Sequence, residues 1–242
     1  MGVLDNYKKI SDNIAKAAAK ARRNINEITL VAVTKNATPD QIKQLVEHGV
    51  SDFGESRVPQ LQQRSAQMDE WLHRMASRSG KKLPAVGSLR WHMIGHLQRN
   101  KVKPVVSICS LIHSIDSLRL AEEIYDEATK IKRPVQVLLE VNVSEESSKH
   151  GVAVGAAVHL AEQIDTMDEL QLIGLMTMAP YSQDPENSRP HFARLREIYE
   201  EVRFRKIAGE KFKHLSMGMS GDYQVAIEEG ATMIRVGTAL FG

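Results

Sequence analysis

Hydrophobic and polar positions follow two periods along this chain. Short apolar, β-branched runs such as Thr29-Leu-Val-Ala-Val-Thr34 carry the signature of buried strands. Between them lie amphipathic stretches with apolar residues three and four apart. Residues 3–23 are the first of these, with Leu4, Ile10, Ile14 and Ala18 on one face. The short runs predict strands at 29–34, 51–54, 91–95, 110–115, 135–142, 171–176, 213–217 and 232–236. Pro39 and Asp40 open a helix that Gly49 stops, and a long one runs from Arg57 to about Arg78. Ser117 caps another at Leu118, and two more span Val154 to Ile164 and Pro185 to Ile207. Ser220 and Asp222 open a last one that Gly230 ends.

Eight strands separated by helices predict an α/β fold, a single (β/α)8 TIM-type barrel in one domain over 1–242. The chain stops six residues after the last predicted strand, so no eighth helix is expected there. The extra N-terminal helix is expected to stand in for it. A doubly wound sheet would want a glycine-rich first turn, and Lys35-Asn-Ala-Thr-Pro39 has no glycine. The Gly-, Ser-, Pro- and Lys-rich stretch 77–88 breaks the rhythm and reads as a mobile surface insertion.

Composition narrows the function. The 242 residues are 42% apolar and 26% charged, an ordinary globular balance. With 32 basic and 30 acidic residues the net charge is only +2, which gives no electrostatic case for a nucleic-acid or membrane partner. The single cysteine, Cys109, excludes an intrachain disulfide or a cysteine-based zinc site and fits a buried thiol in a reducing, cytoplasmic setting. His92 and His96 flank an apolar pair, but neighbouring sequence offers no third ligand at metal spacing, so no metal is expected.

Barrel chemistry sits at the C-terminal ends of the strands. Lys35 follows the first strand, Ser56 the second, Met176 the sixth, Ser216 and Gly218 the seventh, and Arg235, Gly237 and Thr238 the eighth. Ser216-Met-Gly-Met-Ser220-Gly-Asp222 leads into a helix, and Gly237 lets the backbone approach a ligand closely. Together the Ser216 hydroxyl, the Gly237 and Thr238 amides and the helix start would cradle a phosphate. A phosphate cradle, a lysine nucleophile at an apolar pocket and an arginine suggest pyridoxal 5′-phosphate. Lys35 would form the aldimine and Arg235 would face the pyridine nitrogen. An arginine does not readily accept a proton, so the ring would be a weaker electron sink than one paired with a carboxylate. Met176 and its neighbouring methionines would pack against the ring.

Ala32-Val-Thr-Lys35, Asp52-Phe-Gly-Glu-Ser56, Trp91-His-Met-Ile-Gly-His-Leu-Gln98, His113-Ser-Ile-Asp-Ser117, Gly174-Leu-Met-Thr177, Leu215-Ser-Met-Gly-Met-Ser220 and Ile234-Arg-Val-Gly-Thr-Ala-Leu-Phe-Gly242 occur in this order. In them the chain resembles the pyridoxal phosphate homeostasis protein family, single-domain relatives of the alanine racemase barrel. The resemblance covers about residues 3–242. It implies the barrel, the aldimine at Lys35, phosphate contacts at Ser216, Gly237 and Thr238, and Arg235 near the ring nitrogen. Ser56 stands where that family usually has asparagine.

Two functions follow. One is a carrier that holds the cofactor reversibly, supplies PLP-accepting apoenzymes and catalyses no reaction of its own, as a monomer or weak dimer. The other is a racemase-like enzyme, which needs a second acid–base group opposite the lysine. In the two-domain racemases, the resemblance implies, that group is a tyrosine working with an added domain. Here the chain ends with its barrel, and only Tyr181 and Tyr223 are expected near the mouth. The carrier is the favoured expectation.

Overall fold

A computed structural model describes residues 2–76 and 84–242. Among these, eight parallel strands close into a barrel: β1 (Thr29–Val33), β2 (Asp52–Glu55), β3 (Arg90–Met93), β4 (Leu111–Ile115), β5 (Val135–Asn142), β7 (Leu170–Met176), β8 (His214–Ser216) and β9 (Met233–Val236). They run in that order round the ring, with β9 pairing β1 and β4 pairing β5. A two-residue strand, β6 (Val152–Ala153), adds to the end of β5 outside the ring. The predicted fold class holds because the strands are short, apolar and each followed by a helical pattern, which is what a right-handed parallel crossover requires.

The helices are α1 (Val3–Lys20), α2 (Pro39–Glu47), α3 (Val58–Ala76), α4 (Val102–Ile108), α5 (Leu118–Ile131), α6 (Ala157–Asp165), α7 (Arg189–Phe204), α8 (Tyr223–Glu228) and α9 (Thr238–Phe241). Their apolar faces and the outward side chains of the strands form one continuous core. A second, smaller cluster of Leu111, Leu138, Ile173, Met176 and Met233 fills the inside of the ring. Cys109 is buried, and burial pushes its thiol up to about 12, so it stays protonated and inert.

Two expectations need correction at the ends. Helix α1 stops at Lys20 because Arg22 takes a left-handed backbone (φ 55°), and it turns Val3 inward while Leu4 stays exposed. The last strand is followed by a helix after all, the single turn α9. It is too short to cover the barrel, and α1 packs against both α8 and α9 to complete the wall. Asn6 Nδ2 donates to Leu240 O (3.0 Å), and Arg23 Nη1 reaches Ile227 O and Ala231 O.

Of the predicted insertion at 77–88, residues 77–83 lie outside the described residues. Residues 84–88 end in a turn that Gly87 N ties to Asp69 Oδ1 of α3 (3.3 Å).

Candidate functional site

The β-strands' C-terminal ends surround a cavity of about 310 Å³. Its apolar wall is Val33, Ile94, Met178 and Met219. Polar groups reach it from several sides: Lys35, Ser56, Arg235, the Ser220-Gly-Asp222 turn and the Gly237-Thr238 backbone. Five of the residues singled out from sequence, Lys35, Ser56, Arg235, Gly237 and Thr238, therefore meet at one site.

Lys35 is carried by a 3-10 turn, Thr34–Asn36, that follows β1 directly. Its side chain is exposed at the cavity rim, whereas the strand pattern placed it at a buried strand end. The turn is clamped from below. Thr34 Oγ1 donates to Glu55 Oε1 (2.6 Å), and Arg64 Nε pairs with the same oxygen (2.8 Å). Arg64 Nη1 also donates to Ala37 O (3.0 Å) on the far side of the turn. Glu55 is almost fully buried, so this pair holds the lysine's backbone in place from inside the protein.

Arg235 points into the ring from β9 and is 3% exposed. Nη1 donates to Ser216 Oγ (2.6 Å) and Nη2 to Thr177 O (2.8 Å). Burial lowers its pKa to about 10, opposed by the charges of Glu140 and Asp222. It remains a cation at neutral pH. Its backbone N donates to Gly218 O (3.0 Å), which helps fix the loop before α8.

Three of the sequence candidates do not line the cavity. Ser216 is fully buried beneath Arg235, where its hydroxyl accepts from the guanidinium. Met176 belongs to the interior cluster one layer down, and Met178, two residues on, supplies the sulfur at the wall. Gly218 bends the loop at φ 91°, and a Cβ there would collide with Ala226 and with Tyr223, so its glycine answers a packing demand. Gly237 has a similar reason in part: a Cβ would press on Val33 at 3.3 Å.

The turn that leads into α8 meets the turn that leads into α9 at the cavity. Ser220 Oγ accepts from the amides of Gly237 (3.3 Å) and Ala239 (3.2 Å), joining the two loops. Asp222 Oδ1 accepts from Met219 N (2.6 Å) and closes the Met219–Asp222 turn. Among the described residues, the amides of Ser220 and Gly221 donate to no protein acceptor, which leaves them for a ligand.

Sequence reasoning missed several groups. Glu140 stands inside the ring on β5, 2% exposed. Burial raises its carboxyl to about 7, the charge of Asp116 adds to this, and Arg235 opposes it. At the rim, Asp116 and His150 join His96, residues too far apart in sequence to suggest a cluster. His96 Nδ1 lies 3.0 Å from Asp116 Oδ2, and the His96 and His150 rings stack at 4.0 Å. The ligand atoms of the three lie within 4.8 Å of one another, a spacing that could hold a metal ion and that the sequence did not lead one to expect. The stack also seats the loop between β5 and β6 over the mouth, where Lys149 Nζ reaches Met178 O (3.5 Å). Of the two tyrosines expected near the mouth, Tyr181 lines the rim and is 92% exposed. Tyr223 is buried on the outer side, its hydroxyl accepting from Asn13 Nδ2 of α1 (3.1 Å).

No described helix is long and apolar enough to cross a membrane. The alanine racemase, N-terminal domain, family matches residues 6–242. A pyridoxal phosphate homeostasis protein of Aquifex aeolicus (strain VF5) is 38% identical over all of this chain and 98% of its own length. An unknown protein from Bifidobacterium adolescentis superposes with a TM-score of 0.86 at 34% identity, over 99% of this chain and 94% of that one. PipY of Synechococcus elongatus PCC7942, in its structure with PLP bound, gives a TM-score of 0.76 at 30% identity over 95% of this chain and all of that one. This chain belongs to the pyridoxal phosphate homeostasis protein family, on a barrel of the alanine racemase N-terminal type.

Proposed function

We propose that this protein binds pyridoxal 5′-phosphate covalently but reversibly through Lys35, acting in intracellular cofactor homeostasis without turning over an amino acid. The observation that carries this is the meeting of an amine, a buried guanidinium and free backbone amides at a single apolar-walled cavity. The residues present fit the group. Lys35 would take the aldehyde carbon. The amides of Ser220, Gly221 and Thr238 would hold the phosphate, as backbone N–H groups hold anions in such turns, with Gly237 letting the backbone come close. Arg235 would donate to the ring nitrogen and keep it unprotonated. Ile94, Val33 and Met178 would flank the ring, with Ser56 at its edge. When bound, the cofactor supplies an electrophilic carbon and a ring that withdraws electrons, moderated here by the arginine.

Storage is favoured over catalysis by the arrangement of acid–base groups. Racemisation needs a second proton carrier facing the lysine across the substrate. Tyr223 is committed to Asn13 behind the wall, and Tyr181 stands out in solvent. An open rim also suits release to apoenzymes that need the cofactor.

The test is borohydride reduction of protein incubated with pyridoxal phosphate, followed by peptide mass spectrometry. The label is expected on Lys35, and Lys35→Ala is expected to lose at least about tenfold of it. Equal labelling of another lysine in the variant would overturn the site. Steady-state racemisation of an amino acid by the loaded protein, abolished in Lys35→Ala, would overturn the storage reading.

A further inference from the structure

A line of hydrogen bonds crosses the inside of the barrel and ends at Arg235. Arg235 Nη1 meets Ser216 Oγ at 2.6 Å. Ser216 Oγ lies 2.9 Å from His113 Nδ1, and His113 Nε2 lies 2.9 Å from His92 Nδ1. His92 Nε2 is 3.1 Å from Asp52 Oδ1, and Arg90 Nε closes on the same oxygen at 2.7 Å. Ser216 and Arg235 come from β8 and β9, and the rest from β2, β3 and β4 across the ring. Asp52, Arg90 and His92 line a separate cavity of about 430 Å³ at the strands' N-terminal ends, the face away from Lys35.

The direction of each bond is set by its neighbours. A guanidinium only donates, so Ser216 Oγ accepts from Arg235. The Ser216 hydroxyl is fully buried, and its hydrogen has one remaining acceptor, His113 Nδ1. His113 must then carry its proton on Nε2 and donate to His92 Nδ1. His92 in turn carries its proton on Nε2 and donates to the Asp52 carboxylate. Burial, with the nearby His92 and Arg235, holds the pKa of His113 well below its ordinary value, so the ring is neutral. The chain therefore has a single polarity from Arg235 to Asp52. An interior filled by aliphatic side chains would pack a barrel more simply.

We propose that Asp52 is a positioning residue for Arg235, acting through His92, His113 and Ser216. It accepts at the far end of a line whose polarity Arg235 sets, so that every link is satisfied and the guanidinium is held in the orientation in which it meets the ring nitrogen of the cofactor. The cofactor end of this inference rests on the function proposed above.

The test has two arms. In the cofactor-free protein, ¹⁵N NMR of the histidine rings is expected to show His92 and His113 each protonated on Nε2. Asp52→Leu leaves His92 Nε2–H without its acceptor and is expected to shift His92 toward the Nδ1–H form, which breaks its bond from His113. Asp52→Asn keeps an acceptor oxygen and is expected to retain the Nε2–H form, which controls for folding. In the loaded protein, Asp52→Leu is expected to move the pH midpoint of the cofactor's absorbance by roughly half a unit, with Asp52→Asn closer to wild type. Wild-type His113 protonated on Nδ1 overturns the proposal. So does an Asp52→Leu protein whose His92 form or absorbance midpoint matches wild type. The first arm needs no cofactor, so its failure is distinct from loss of labelling at Lys35.

Discussion

Glu140 shows what a single residue inside the ring costs. Its carboxyl titrates near 7 in the folded protein against an ordinary 4.5, because burial and Asp116 disfavour the charged form more than Arg235 favours it. Below about pH 4.5 the group is protonated whether the chain is folded or not. As pH rises toward 7 the unfolded chain releases the proton first, so stability falls across that window. The full difference is roughly 3 kcal/mol. Glu140→Gln is therefore expected to flatten this decline. Urea titrations should show little change at pH 4 and a more stable variant at pH 8. Asp52 has the opposite sign. Burial alone would raise it, but hydrogen bonds from His92 and Arg90 hold it down at about 2. Its contribution is present above pH 4 and lost as pH falls through 2. At this scale the sequence was legible at the strand ends, where Lys35, Arg235 and Gly237 all reach the cavity. Met176 and Ser216 face the inside of the ring but lie one layer below the cavity, a depth that the alternation of faces along a strand does not report. Glu140 escaped notice because a lone glutamate inside Val135-Gln-Val-Leu-Leu-Glu140 carries no sign that it faces the ring.

Among the elements, the turn after β1 depends on α3. Arg64 reaches back from α3 to Glu55, Ala37 and the carbonyl of Lys35. Arg64→Ala would leave a nearly fully buried carboxylate without its cation and the turn without its clamp. A loss of about 3–5 kcal/mol is expected. Lys35 should also react more slowly with pyridoxal phosphate, measured as the rate of absorbance change, in protein that circular dichroism shows to be folded. The helices and strands themselves were largely legible because apolar period and caps agreed, as at Thr38-Pro39, where the Thr38 hydroxyl and the Gln41 side chain form a capping box. The clamp was not legible. A salt bridge between residues nine apart, Glu55 and Arg64, looks in sequence like any exposed pair, and only the closed barrel makes it internal.

For the whole molecule, the ring closes through the pairing of β1 with β9 and through α1, which covers the seam. Ile14 of α1 is buried in the core shared with α8 and α9. Ile14→Ala is expected to cost roughly 2–4 kcal/mol in urea unfolding while leaving the Lys35 adduct intact in the folded fraction. Barrel closure was readable from the count of strands. The polar line across its interior was not, since His92, His113 and Ser216 lie far apart in the chain and approach one another only once the ring has shut.

The seating of α1 also orders events in time. Asn6 bonds to a residue 234 positions later, and Arg23 to the loop before β9. During synthesis α1 can meet α2 early, but it lacks its α8 and α9 surfaces until the residues around the last strand have been made. The part of its apolar face that they cover must wait, exposed or held by a chaperone, while the intervening chain is translated. Stalled nascent chains ending before residue 231 should leave residues 3–20 open to protease, and release of the full chain should protect them. A helix that precedes every strand of the ring in the chain completes its packing only after the last of them.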